Sequence, residues 1–198
     1  SLMPVKENFN DIYPCRVGTT SYIIPDDILP NLRYLKSRVD DVELVIFESE
    51  AFSNLPSAAD VREMRAIAEE SGLTYTVHLP LDVSPGATDE NERLKSVDKW
   101  LRVIDLMSAL NPFGWIVHLD DPPSPGSSES DKWRSQCDKT LKTLIRTVEC
   151  KKLCVETLSY DFSRIWPVVK QNDCAVCIDI GHLILNGYSV LQYLENWL

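Results

Sequence analysis

Five side chains that could bind a metal or transfer a proton stand at the ends of short apolar runs in this sequence. The runs cover residues 73–77, 114–117, 153–155 and 174–178, and the side chains are His78, His118, Glu156, Asp179 and His182. Imidazoles and carboxylates form a mixed nitrogen and oxygen donor set, which suits Zn, Mn, Fe or Co. The pattern therefore predicts one divalent metal site at the ends of four strands. The alternative is a set of separate, hydrogen-bonded structural residues.

Three acidic residues are predicted to take part in catalysis. The two oxygens of Glu156 can bridge two ions, and ions ~3.5–4 Å apart can hold a phosphate ester and activate a water. Glu48 follows the apolar run at 42–47, and Asp120 comes two positions after His118. Either acid could protonate a leaving group, and a solvated position in a loop is the alternative for both.

The elements that must position these residues follow from the hydrophobic pattern. Strand ends are expected at Thr20, Glu48, His78, His118, Glu156 and Asp179. Helices are expected at about 26–39, 57–71, 89–110, 130–150, 162–171 and 189–198, with Ser57 and Gly72 as the caps of the second. This alternation predicts parallel strands with crossover helices, as in a doubly wound sheet or a barrel. Polar residues at nearly every strand end, without a Gly-rich phosphate loop after the first strand, favour an α/β (β/α)8 TIM barrel.

The length of 198 residues suits about six strand-helix units, because a full barrel takes ~250 residues. We expect residues 1–198 to form a single, incomplete TIM-barrel domain, with residues 1–14 as an N-terminal arm. The seventh and eighth strands are expected to be missing from this chain.

The amino-acid composition indicates which kinds of partner and which cellular location to expect. The 30 acidic and 20 basic residues give a formal net charge of −10, which is poorly suited to duplex DNA with its charge every ~1.7 Å. A small-molecule substrate is therefore expected, without nucleic acid or membrane contact, and a homo-oligomer stays open. The sequence has no apolar window of the ~18 residues that a membrane span needs. The opening residues lack the apolar core of a signal peptide, and the six cysteines show no disulfide pattern, so a cytoplasmic location is expected.

The metal-binding pattern resembles that of the xylose isomerase-like superfamily of barrels. That group includes endonuclease IV, sugar isomerases and ketose epimerases. The resemblance implies that Glu156 and Asp179 are the metal ligands of strands five and six, and that His78, His118 and His182 bind a further metal, as in endonuclease IV. The full histidine set favours the hydrolytic branch of the superfamily. The ligands of its seventh and eighth strands have no counterpart in this sequence.

Longer segments resemble one group within that superfamily, the cobamide-remodelling hydrolases of the CbiR type. These segments are residues 16–22, 27–31, 39–45, 76–82 and 179–183. The resemblance implies a metal-dependent hydrolase that removes the nucleotide loop of a cobamide, a cofactor of the vitamin B12 type, so that a cobinamide phosphate can be rebuilt with another base. A sugar isomerase or epimerase on the same barrel is the alternative function. A non-catalytic barrel that binds cobamide or sugar phosphate is the second alternative.

Overall fold

The six predicted strands are present and belong to one sheet. The computed structural model describes residue 9 and residues 13–49, 51–120 and 122–197, so most of the arm predicted at residues 1–14 lies outside the described residues. The strand order is β1-β2-β3-β4-β5-β6, and the pairs β1–β2, β2–β3 and β5–β6 are parallel. The strands are β1 Gly18–Thr20, β2 Asp41–Val45, β3 Thr74–His78, β4 Gly114–Val117, β5 Leu153–Glu156 and β6 Ala175–Cys177. Strands that follow each other in sequence are thus neighbours in the sheet, as in a barrel.

Among the described residues a helix follows each strand, and six of the seven helices coincide with helices that the periodicity predicts. Their bounds are α1 Ile28–Leu35, α2 Ala58–Ser71, α3 Glu90–Met107, α4 Ser128–Leu144, α5 Trp166–Gln171, α6 Ile180–Leu185 and α7 Val190–Trp197. Short 3-10 segments lie at Ser108–Leu110, Cys150–Lys152 and Phe162–Arg164. The prediction that α4 continues to Cys150 is wrong, because β-branched residues after Leu144 disfavour a further turn. Among the described residues, no helix combines the length and apolar character that crossing a membrane requires.

The caps of α2 are confirmed. The Ser57 hydroxyl accepts a hydrogen bond from the Asp60 backbone N–H at 3.2 Å, and the Asp60 carboxylate accepts one from the Ser57 backbone N–H at 2.9 Å. Gly72 ends the helix at φ 74°, a left-handed conformation that glycine adopts without a steric cost. The third strand can therefore start at Thr74, two residues after Gly72.

The end of the sixth strand differs from the prediction. The strand stops at Cys177, and α6 begins at Ile180 with Asp179 as its N-cap. His182 consequently lies in the first turn of a helix and not at a strand end. An apolar run such as 180–185 fits a strand or a buried helix equally well, so periodicity alone does not separate them.

The first of two compact units contains residues 1–80 and 102–115. Its fully buried side chains include Leu32, Leu35, Val42, Leu44, Met64, Tyr75 and Val77. The Tyr75 hydroxyl donates a hydrogen bond to the Met64 carbonyl oxygen at 2.7 Å, which satisfies the one polar atom of that ring. Burial raises the pKa of the Tyr75 phenol, so it stays a donor throughout the physiological range.

The second compact unit contains residues 81–101 and 116–198. Its buried side chains include Trp133, Cys137, Leu141, Leu144, Val155, Phe162, Val169 and Leu183. The loop that leads to α3 packs closely on α4 at Gly86, where an added Cβ would lie 2.4 Å from Trp133 Cδ1 and 2.9 Å from Cys137 Sγ. A residue without a side chain is therefore required at this contact.

Candidate metal centre

Glu156 is the last residue of β5 and the centre of the candidate site. Its side chain is 6% exposed, so the carboxylate needs partners inside the protein. Oε2 lies 2.9 Å from His118 Nε2, and Oε1 lies 3.3 Å from His182 Nδ1. Each oxygen of one buried carboxylate thus faces a different imidazole.

His118 follows the last residue of β4, a strand whose four residues are all buried. Its side chain is 11% exposed, and its ring stands at 72° to that of His182 with 6.1 Å between the centroids. The Asp120 carboxylate lies 3.7 Å from His118 Nδ1 on the side away from Glu156, beyond direct hydrogen-bond distance. The predicted role of Asp120 as a proton donor stays a prediction.

The start of α6 positions Asp179 and His182. Asp179 Oδ1 accepts a hydrogen bond from the His182 backbone N–H at 2.8 Å, which is the N-cap contact of the helix. Its other oxygen, Oδ2, lies 3.7 Å from His182 Nδ1. The carboxylate that caps the helix is therefore also within reach of the site.

Thr157 holds both residues and was missed by the sequence analysis. Its hydroxyl accepts a hydrogen bond from the Asp179 backbone N–H at 2.9 Å, and its carbonyl oxygen lies 3.0 Å from His182 Nδ1. Because a carbonyl oxygen can only accept, this contact favours a hydrogen on Nδ1, the nitrogen that also faces Glu156 and Asp179, and it fixes the orientation of the ring beside the two carboxylates. The one feature of the sequence that points to Thr157 is its position directly after Glu156, the acid at the end of β5.

The residues fit a divalent metal ion. Glu156, Asp179 and His182 each offer one ligand atom, and these atoms all lie within 4.8 Å of one another. Ligand atoms ~2.1 Å from one ion lie up to ~4.2 Å apart, so small side-chain adjustments bring the three into coordination distance. His118 lies on the second oxygen of Glu156. The roles of these four residues as ligands of Zn, Mn, Fe or Co stay predictions.

Two predicted site residues lie in the first compact unit. His78 is the last residue of β3, is 8% exposed, and has Nδ1 3.0 Å from the Leu79 carbonyl oxygen. Glu48 follows β2, pairs with Ser53 in an isolated antiparallel bridge, and accepts a hydrogen bond from the Ser53 hydroxyl. Two assignments stay predictions, namely His78 as a metal ligand and Glu48 as a catalytic acid.

Several solved structures share this fold. A D-tagatose 3-epimerase-like protein is 17% identical with a TM-score of 0.75, and the match covers 92% of this chain and 71% of that one. The 3-keto-D-glucoside 4-epimerase YcjR from E. coli is 20% identical with a TM-score of 0.67, covering 91% and 74%. Endonuclease IV from Thermus thermophilus is 21% identical with a TM-score of 0.58, covering 85% and 64%. At these identities the similarity shows the fold alone, and it confirms the predicted barrel class.

Sequence comparison identifies the family. A search of curated proteins found no match. The family model described as a xylose isomerase-like TIM barrel matches residues 36–197, which is most of the chain and includes β2 to β6 with all five predicted metal ligands. The fold shared with the solved structures agrees with this family match. The chain therefore belongs to the xylose isomerase-like TIM barrel family.

Proposed function

We propose that this protein is a metal-dependent hydrolase of a small molecule that carries a phosphate ester. The observation that carries the proposal is the arrangement at Glu156, where one buried carboxylate has a different histidine at each oxygen. A carboxylate shared in this way suits a site with more than one ion, and such sites recur in enzymes that hydrolyse phosphate esters.

Four residues of the second compact unit would hold the metal, namely His118, Glu156, Asp179 and His182, and His78 is proposed as a fifth ligand. A bound divalent ion supplies Lewis-acid stabilisation of phosphoryl oxygens and lowers the pKa of a bound water. The chain's own groups orient that centre, because the Thr157 carbonyl fixes the ring of His182 and its hydroxyl fixes the Asp179 backbone. Outside the ligand set, Asp120 beside His118 and Glu48 are the groups proposed to protonate the leaving oxygen.

We propose a cobamide as the substrate, with removal of its nucleotide loop as the reaction. The support is the resemblance of residues 16–22, 27–31, 39–45, 76–82 and 179–183 to the cobamide-remodelling hydrolases. Water would add across the phosphodiester and give a cobinamide phosphate and the nucleoside that carries the base. The substrate is a small molecule, which agrees with a net charge of −10 on the protein.

Sugar isomerisation or epimerisation is the second candidate. The observation that favours it is the set of similar structures, which includes a D-tagatose 3-epimerase-like protein and a 3-keto-D-glucoside 4-epimerase. A mixed carboxylate and imidazole metal site is compatible with that chemistry as well. The two candidates therefore differ in substrate and product and not in the residues that hold the metal.

The test is to purify the full-length protein with bound metal and incubate it with a cobamide under reducing conditions. Mass spectrometry should show a cobinamide phosphate, and the product should be lost in Glu156→Gln and retained in Glu149→Gln, the same change at an exposed residue just before β5. Conversion of ketoses without cobamide hydrolysis would establish the isomerase alternative. Tight cobamide binding without product, at full metal content, would instead establish a binding protein.

A further inference from the structure

The loop after β4 is held by side chains from three other parts of the second compact unit. The backbone carbonyl oxygens of Leu119, Asp120 and Pro123 each accept a hydrogen bond from a side chain of another element. The donors come from α4, from the loop after β5 and from the 3-10 segment at Phe162–Arg164. Three donors on one short segment restrict its backbone, because each hydrogen bond must break before the segment can move.

Two of the three donors are buried aromatic side chains. The Tyr160 hydroxyl donates to the Leu119 carbonyl at 2.8 Å, and the Trp133 Nε1–H donates to the Asp120 carbonyl at 2.9 Å. The two rings pack edge to face, with 5.7 Å between their centroids and 88° between their planes. Burial raises the pKa of Tyr160, so its hydroxyl stays a donor throughout the physiological range.

Close packing keeps these donors in place. Gly86 lies against Trp133, so closely that an added Cβ would come 2.5 Å from the Trp133 Nε1. Arg164 lies over the Tyr160 ring, with its Cζ 5.9 Å from the centroid, and its guanidinium donates to the Pro123 carbonyl. Trp133, Tyr160 and Arg164 therefore form one packed group, the donor cluster, and not three separate contacts.

The donor cluster acts on the segment that brings Asp120 to the candidate metal centre. The Leu119 carbonyl belongs to the peptide unit before the Asp120 Cα, and the Asp120 carbonyl belongs to the peptide unit after it. Because peptide units are planar, holding both of them fixes the two backbone dihedral angles of Asp120. Its carboxylate then stays at the observed 3.7 Å from His118 Nδ1, on a ring whose Nε2 lies 2.9 Å from Glu156 Oε2.

We propose that Trp133, Tyr160 and Arg164 are positioning residues, which act through the backbone of the loop after β4 to keep the Asp120 carboxyl group beside His118. The inference rests on the proposed function, in which Asp120 is one of the groups that act on the leaving oxygen. It extends that function to three residues outside the ligand set. Because a displacement of ~1 Å at a reacting group can lower a rate by ~10²-fold, loss of one of these hydrogen bonds should be visible in kcat.

The test compares Tyr160→Phe with Tyr75→Phe in the full-length, metal-bound protein with a cobamide as substrate. Each change removes one buried hydroxyl that donates to a carbonyl oxygen, at 2.8 Å for Tyr160 and 2.7 Å for Tyr75, so both should lower the Tm by a similar amount. Tyr160→Phe should also lower kcat roughly tenfold at unchanged KM and metal content, whereas Tyr75→Phe should leave kcat unchanged. Arg164→Met removes the donor to Pro123, keeps an apolar stem and should lower kcat as well, which provides a second variant if Tyr160→Phe does not fold.

A double-mutant cycle measures whether the effect passes through Asp120. In the Asp120→Asn background, Tyr160→Phe should lower kcat by less than about twofold, because the group that it positions has already been removed. A purely structural role of Tyr160 would instead give the same fold loss of kcat in both backgrounds.

The outcomes separate this inference from the proposed function. In a protein that hydrolyses cobamide, equal kcat values for Tyr160→Phe and Tyr75→Phe, or equal fold losses in the cycle, overturn the positioning role and leave the function standing. A wild-type protein that does not hydrolyse cobamide rejects the proposed substrate, and amide hydrogen exchange then decides on the donor cluster. Faster exchange in peptides that contain Leu119 and Asp120 in Tyr160→Phe, but not in Tyr75→Phe, supports the cluster, and unchanged exchange overturns it.

Discussion

Glu156 concentrates the chemistry of the candidate site in one side chain. A carboxylate that is 6% exposed and has imidazoles at 2.9 Å and 3.3 Å is stabilised by those neighbours, and the proposed metal would add coordination to these contacts. Removing its charge while keeping its shape should therefore affect metal binding far more than folding.

The first prediction concerns metal retention in Glu156→Gln. A ligand at 100 times its dissociation constant stabilises the folded state by ~2.7 kcal/mol, which for a chain of this size is about 5–10 °C in Tm. We expect the wild-type protein to gain a shift of this order when Zn, Mn or Co is added after chelation, and Glu156→Gln to gain almost none. Thermal denaturation and elemental analysis of the same samples measure both quantities. A full metal content in Glu156→Gln would contradict the central role of this residue.

A second residue-scale feature is the ion pair between Glu90 and Arg93 at the start of α3. Arg93 is 5% exposed on its side chain, and its guanidinium contacts both carboxylate oxygens of Glu90, at 2.7 Å and 3.1 Å, and the Thr140 hydroxyl at 3.2 Å. The hydrogen bonds from Arg93 and Gln136 lower the pKa of Glu90 to about 2. The buried guanidinium therefore depends on this carboxylate for its charge balance.

The second prediction is that Glu90→Gln destabilises the protein in a pH-dependent way. The pKa of Glu90 is about 2 in the folded state and ~4.3 in the unfolded state. The ionised carboxylate therefore makes its full contribution to the free energy of unfolding at pH values above the unfolded pKa. That contribution is lost as the pH falls through the folded value. Urea denaturation from pH 7 to pH 3 should show that wild type and Glu90→Gln differ in their free energy of unfolding, and that this difference narrows below about pH 4.5. Glu92→Gln on the same turn is the control and should show no such narrowing; a constant difference would contradict the prediction.

At the scale of elements, α6 is the part of the site that the sequence analysis placed wrongly. The strands, the caps of α2 and the acid at the end of β5 follow from local patterns, because apolar runs and capping residues act within a few positions. The helix after Asp179 has an apolar run and a glycine in its first turn, which no periodicity identifies as helical. The contact of His118 with Glu156 joins residues 38 positions apart and depends on strand order, which local patterns do not contain.

The third prediction separates the two roles of Asp179. Asn caps a helix about as well as Asp, so Asp179→Asn should keep α6 and lose metal affinity through the loss of charge. Asp179→Ala should lose metal affinity to a similar degree and lose a further ~1 kcal/mol of unfolding free energy in the presence of a chelator. Urea denaturation with chelator and metal titration without it measure the two effects. Equal stability of both variants would show that the cap does not stabilise α6.

At the scale of the whole molecule, charge opposes nucleic acid as a partner. The formal net charge is −10, and counterion release from duplex DNA requires clustered basic residues. Endonuclease IV from Thermus thermophilus shares the fold, so the fold by itself does not exclude a nucleic-acid substrate, and the net charge of this chain is what disfavours one.

The fourth prediction is that the protein neither binds nor cleaves duplex DNA at physiological salt. Electrophoretic mobility shift and nuclease assays, run on a preparation that hydrolyses cobamide, measure both. Nicking of duplex DNA that is lost in Glu156→Gln would contradict the proposal of a small-molecule substrate and would place the protein with the nucleases.

Strand length and burial differ within the sheet. β1 and β6 contain three residues each, whereas all four residues of β4 are buried. A polar side chain introduced at any of the four positions of β4 would lose its contact with water, whereas the positions of β6 are only half-buried. Tolerance to polar substitution should therefore be lowest in β4.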